Sequence, residues 1–211
     1  MITIKINLIY LGVVIHWSRQ MRIAVSDSDQ TSHSELLSPL DEYNFWIYRW
    51  ENLSGLSYQL KSKALKHFLD ILTIHQSSYL RPFQSLITEV MEATEEAKSN
   101  IEYLQILKKP CEELSLETSP ASMTNHIPKL LNLFRFIWLN SPYYNTKERV
   151  TLLCRNLSNQ IILQCKNFVD LNDILIKGRT QNGIKILERN IDCCLKYKLI
   201  YDVVSILIFL F

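Results

Sequence analysis

An all-α fold is what this sequence predicts, and three observations carry that expectation. Glycine is scarce, with 4 in 211 residues, where average usage near 7% gives about 15. Apolar residues recur at helical spacing along most of the chain. No segment of convincing length alternates with the two-residue period of a strand. The chain is 47% apolar and 21% charged. At this mass, folding hides about 70% of the unfolded surface, ample for one or two cored domains, so a disordered chain is excluded. Hairpin-rich β folds and glycine-cradled nucleotide sites both need more glycine. A net charge of +2 with interspersed signs leaves no electrostatic footprint for nucleic acid.

Residues 1–23 open as one apolar helix candidate. MITIKINLIYLGVVIHW raises a signal-peptide question, but Lys5 lies inside the run. Trp17, Arg19 and Arg22 stand where a small-residue cleavage site belongs. Residues 24–40 are rich in Ser and Asp, end near Pro39, and read as a polar linker. From 41 to 201 the helical signal is nearly continuous. Tyr43, Trp46, Ile47, Trp50 and Leu53 share one helix face, and Ser54-Gly55 is expected to end that helix. Leu60, Ala64, Phe68 and Leu72 continue the pattern against Lys61, Lys63, Lys66 and Asp70. Pro82 sits where a first turn tolerates proline. Behind it Phe83, Leu86, Ile87, Val90, Ala93, Ala97, Ile101, Leu104 and Leu107 hold one stripe, with Glu89, Glu92, Glu95, Glu96 and Glu102 on the other faces. Pro110 is expected to stop this helix, and Pro110, Pro120 and Pro128 predict short helices and turns over 109–128.

From Lys129 the template is full: Leu130, Leu131, Leu133, Phe134, Ile137 and Trp138, with Phe136 and Leu139 apolar on other sides, predict a central, largely buried helix. Ser141-Pro142-Tyr143-Tyr144 breaks it, and Asn145 with Glu148 resembles a capping box for the next helix. There Val150, Leu153, Cys154, Leu157, Ile161, Cys165 and Phe168 make one stripe. A final helix is expected from near Thr180 into the apolar end at 202–211. That end is far shorter than the ~20 residues of a membrane span, and a stop inside such a run reads as truncation.

The search for chemistry finds no catalytic, cofactor-binding or metal-ligating residues to nominate. Five cysteines (Cys111, Cys154, Cys165, Cys193, Cys194) have no framework or CxxC spacing and read as reduced, mostly buried thiols. Gly178 and Gly183 have P-loop spacing, but Ile184 holds the lysine position, Ile186 follows Lys185 where Ser or Thr belongs, and no strand precedes. His16, His33, His67, His75 and His126 are scattered, and His67 with His75 lacks a third ligand. The glutamates of 89–102 lie on a solvated face beside Lys98, with nothing to part their pKa values. No serine sits in a Gly-x-Ser-x-Gly elbow. Trp46, Tyr48 and Trp50 near Lys61 and Lys63 have the composition of a single-strand platform, but Trp46 and Trp50 are already taken by the helical stripe.

Several phrases resemble a known family. They are Ser78-Tyr79-Leu80-Arg81-Pro82-Phe83-Gln84, then Glu96-Ala97-Lys98-Ser99-Asn100-Ile101, then Pro110-Cys111-Glu112. The fullest runs from Pro128-Lys129-Leu130-Leu131 through Arg135-Phe136-Ile137-Trp138 to Ser141-Pro142-Tyr143-Tyr144-Asn145-Thr146-Lys147-Glu148-Arg149, and on to Leu157-Ser158-Asn159-Gln160-Ile161-Ile162 and Cys165. With His16-Trp17-Ser18-Arg19-Gln20 and Phe45-Trp46 upstream, the order and spacing over about residues 13–200 resemble the N-terminal tail, or stem, of dynein heavy chains, closer to axonemal than to cytoplasmic ones.

That resemblance implies an elongated antiparallel helical bundle in the stem of a microtubule motor. It implies heavy-chain association and the binding of intermediate and light chains, in movement of cilia or flagella, at the cytoskeleton of the axoneme. The AAA+ ATPase ring and microtubule-binding stalk of that family lie far C-terminal of this region, so the resemblance implies a chain that does not itself hydrolyse ATP. Charge, apolar run length and the motif search point to no cofactor, nucleic-acid, membrane or small-molecule partner. Residues 1–11 and about 202–211 depart from the family pattern. The alternative is a free-standing helical adaptor or scaffold, against which stands the lack of a repeat of 20–50 residues. A small enzyme is disfavoured by the lack of any convergent polar site.

Overall fold

A computed structural model describes residues 2–26, 38–116, 119–169, 176 and 183–210. Among them the secondary structure is helical throughout: α1 (Ile2–Ser26), α2 (Pro39–Leu60), α3 (Lys63–Ile74), α4 (Leu80–Leu116), α5 (Pro120–Asn140), α6 (Lys147–Phe168) and α7 (Gly183–Leu210). The all-α expectation holds. The 24–40 linker falls mostly outside the described residues. Its end is a helix start: the Ser38 backbone N–H and hydroxyl both donate to Asp41 Oδ2 (2.8 and 2.9 Å), and Asp41 N–H donates back to Ser38 Oγ (3.2 Å). Ser38 is thus a reciprocal N-cap with Pro39 at the first helical position.

The chain divides into two compact units, one of Met1–His33 with Phe45–Ser99, the other of Ser34–Asn44 with Asn100–Phe211. The first is built on α1, most of α2, α3 and the first half of α4. Val14 and Met21 from α1, Leu53 and Leu60 from α2, Leu65 and Leu72 from α3, and Phe83, Leu86 and Val90 from α4 are buried in one cluster. An aromatic ladder links three of these helices, Tyr10 to Phe68 at 5.9 Å and Phe68 to Phe83 at 6.0 Å between ring centroids.

Two expectations fail here. Helix α2 runs through Gly55 to Leu60, because Leu53, Ser57 and Leu60 are all buried and Ser57 Oγ donates to Met91 Sδ of α4. That burial outweighs the roughly 1 kcal/mol helical penalty of glycine. Trp50, expected in the stripe, is instead exposed, and Arg49 takes the buried place with Nη2 donating to the Val25 carbonyl at 3.4 Å. Helix α3 is capped at both ends. Ser62 Oγ accepts from Leu65 N–H, and past His75 the chain turns through Gln76 at φ 47°, with Ser77 N–H on Leu72 O and Gln76 N–H on Thr73 O. That is a Schellman motif with glutamine in the left-handed position.

The second unit packs the rest of α4 with α5, α6 and α7. Helix α4 does not stop at Pro110 but continues to Leu116. Proline removes one backbone bond at a cost of about 3 kcal/mol. The turn beyond it is held by buried Cys111 and Leu114 and by α6: Gln160 Nε2 donates to Ser115 Oγ (2.8 Å) and Cys111 O (3.4 Å), and Gln164 Nε2 donates to Ser115 O (3.1 Å). Gln164 of α6 thereby satisfies one of the carbonyls that a helix end leaves open. Helix α5 likewise starts at Pro120 and carries Pro128 inside it, so the short helices expected over 109–128 are the ends of two long ones. On α5, Leu130, Phe134 and Ile137 are buried, but Phe136 and Leu139 are 50% and 61% exposed, so the helix is amphipathic rather than central.

The Ser141–Thr146 corner that follows is tightly built. Ser141 Oγ accepts from Tyr144 N–H, the buried Tyr144 hydroxyl donates to Glu42 at 2.8 Å, and Arg149 stacks 3.7 Å from the centre of the Tyr143 ring while donating to its carbonyl. This turn absorbs Asn145, so the N-cap of α6 is Thr146, without a side-chain bond, rather than Asn145.

Candidate functional site

The structure brings together little that chemistry needs. Among the described residues no group of three or more His, Cys, Asp or Glu is placed to hold a metal ion. His67 and His75 are both exposed on α3 and its cap, and Glu89, Glu92, Glu95, Glu96 and Glu102 are exposed along α4. Residues 178–182 of the glycine-spaced segment lie outside the described residues; Gly183 opens α7, with Ile184 72% exposed. All five cysteines are free thiols. Burial pushes Cys111 and Cys154 up to about 12, in Cys111 with help from the Glu112 carboxylate, which keeps both protonated and unreactive. Of the aromatic cluster, Trp46 is buried while Tyr48 and Trp50 face solvent.

What the molecule offers instead is surface. In the first unit a groove of about 330 Å³ opens between α1 and the α3–α4 turn, lined by Tyr10, Leu11, Val14, Ile71, His75 and Tyr79 among others. A second, of about 560 Å³, runs along Ile15, Arg19, Arg22 and Ile23 of α1 and Pro82 and Leu86 of α4. In the second unit α7 is apolar on two sides. Cys193, Tyr197, Ile200 and Val204 are buried on one. On the opposite side Ile184, Leu187, Ile191, Leu195, Leu199, Val203 and Ile206 are exposed, a ridge with mostly four-residue steps. Ion pairs within the helix flank it, Lys196 to Asp192 at 2.6 Å and Lys198 to Asp202 at 3.0 Å. Sequence reading missed this ridge, though its signal was present. Apolar residues recur on both sides of one helix, and a soluble helix has only one side to bury. No described helix is long and apolar enough to cross a membrane.

The family model described as dynein heavy chain, N-terminal region 1, matches residues 10–207. The chain is 42% identical over 144 residues to dynein axonemal heavy chain 2 of Homo sapiens, covering 68% of this chain and 3% of that protein. It is 34% identical over 190 residues to the dynein-1-beta heavy chain, flagellar inner arm I1 complex, of Chlamydomonas reinhardtii, covering 90% and 4%. To the ciliary dynein beta chain of Tripneustes gratilla it is 32% identical over 165 residues, covering 77% and 4%. The chain thus spans only 3–4% of the length of these curated relatives. The family match reaches beyond both limits of the sequence resemblance and takes in most of α7. The chain, whose described secondary structure is helical and which the family model matches over residues 10–207, belongs to the dynein heavy-chain family, in its N-terminal region.

Proposed function

We propose that this chain serves as a segment of an axonemal dynein heavy-chain tail, where it joins heavy chains and carries intermediate and light chains at the axoneme of cilia or flagella. Residues 41–201 act as the tail module. The segment works by assembly, not by catalysis, and hydrolysis of ATP belongs to other parts of the motor. The observation that carries this reading is the exposed ridge on α7, five aliphatic side chains from Leu187 to Val203 at four-residue steps. A ridge of that kind receives the groove of another helix at a crossing angle of about 50°. The occupant we assign is an amphipathic helix of a dynein intermediate chain.

The test mixes the purified chain with an axonemal dynein intermediate chain and measures affinity by calorimetry. Leu195→Glu and Leu199→Glu each place a carboxylate on the ridge without touching the core, so the fold is kept and affinity falls at least about tenfold. Wild-type chain that does not bind, or a variant that binds as well, would sink the assignment. An ATPase assay on the same preparation is expected to read the blank, and specific turnover would overturn the non-catalytic reading.

A further inference from the structure

Near the α6–α7 contact three thiols and a phenol gather. The thiols of Cys165 on α6 and Cys194 on α7 lie near enough to interact, with Cys193 also within electrostatic reach of Cys165. The rings of Phe168 and Tyr197, each three residues further along its helix, pack at 6.3 Å and hold the two helices together at this level. Cys194 is exposed, Cys165 partly so, and Cys193 is buried. Tyr197 is 2% exposed and its hydroxyl has no hydrogen-bond partner, which leaves a free donor beside Cys165 and Cys193.

We propose that Cys165 and Cys194 are an oxidative cross-linking site, closed to a disulfide by a peroxide. Cys194, facing solvent, meets the oxidant first. Its sulfur attacks the peroxide, the O–O bond breaks, and a sulfenic acid forms with release of one water. The Cys165 sulfur, after giving up its proton, attacks the sulfenyl sulfur. The S–S bond forms, and the departing hydroxide takes that proton as a second water. Two thiols and one hydrogen peroxide thus give one disulfide and two waters. Cys193 and Cys194 cannot close on each other within a helix, since neighbouring Cα atoms stand about 3.8 Å apart and a disulfide needs roughly 4.4–6.8 Å. The inference stands apart from the docking role and uses none of its residues.

The test treats the full chain with hydrogen peroxide, alkylates the remaining thiols, and maps peptides by mass spectrometry. The expected product is a Cys165–Cys194 peptide lighter by two hydrogens than its parts and cleaved by dithiothreitol. It is absent from Cys165→Ser and Cys194→Ser and present in Cys193→Ser. Closing a loop of this length is expected to raise Tm by roughly 10 °C. Three outcomes overturn the proposal: Cys194 carried to sulfinic acid while Cys165 stays alkylatable, Cys194 linked only to a second molecule, or Cys165 paired with Cys193. Mapping of the wild-type chain decides among these even where a variant fails to fold.

Discussion

Gln76 holds a backbone conformation that its side chain opposes. At φ 47° it closes the Schellman motif after α3, where a side chain costs roughly 1 kcal/mol over glycine. Gln76→Gly is therefore expected to raise Tm by about 2–4 °C, while Gln76→Ala changes little. A lowered Tm in the glycine variant would contradict this reading of the turn. Nothing in Thr73-Ile74-His75-Gln76-Ser77 announces the motif, because the usual glycine is missing. The thiols set a second expectation. Cys111 and Cys154 titrate near 12 in the folded chain against an ordinary 9.0, since burial disfavours the thiolate. Unfolded thiols ionise from pH 9 upward and folded ones do not, so the stability they contribute is complete below pH 9 and lost as pH rises toward 12. Urea midpoints should fall over that window, and less steeply in Cys111→Ala and Cys154→Ala. Slopes parallel to wild type would show that these thiols take no part.

Helix existence was readable from apolar spacing, and helix ends were not. The stripes on α4 and α6 stand as the sequence gives them, because periodicity reports burial directly: Phe83, Val90, Ala97, Leu104, Leu153 and Leu157 are all buried. Ends depend on a contest between local penalties and distant packing, and a single sequence displays only the penalties. Gly55 and Pro110 were read as terminators, yet both lie inside helices held by side chains from elsewhere in their own unit. Ser38 and Asp41 form the opposite case, a reciprocal cap plainly written in the sequence and overlooked within a polar stretch. Gly55 also yields a prediction. It is exposed, and a Cβ there meets nothing within 4 Å. Gly55→Ala should stabilise the chain by about 0.5–1 kcal/mol, read as a higher urea midpoint with an unchanged m-value. A destabilised variant would mean that α2 is not helical at this position in solution.

At the scale of the whole molecule, family was legible and site was not. The most telling phrase, Ser141 to Arg149, is a structural corner. Its tyrosines and arginine are spent on Glu42, on a backbone carbonyl and on each other, so it identifies the fold without marking an interaction surface. The α7 ridge went unread because apolar residues on both sides of a helix look the same in a sequence, and only burial separates them. The two grooves of the first unit join residues up to about seventy positions apart, as Tyr10 and Tyr79 do, and no local spacing encodes that. The proposed place in an assembled axonemal dynein is tested most directly by salt extraction of axonemes followed by sucrose-gradient sedimentation. This chain is expected to travel in the same fast fractions as dynein intermediate chains; sedimentation near the top of the gradient, apart from every dynein subunit, would contradict it.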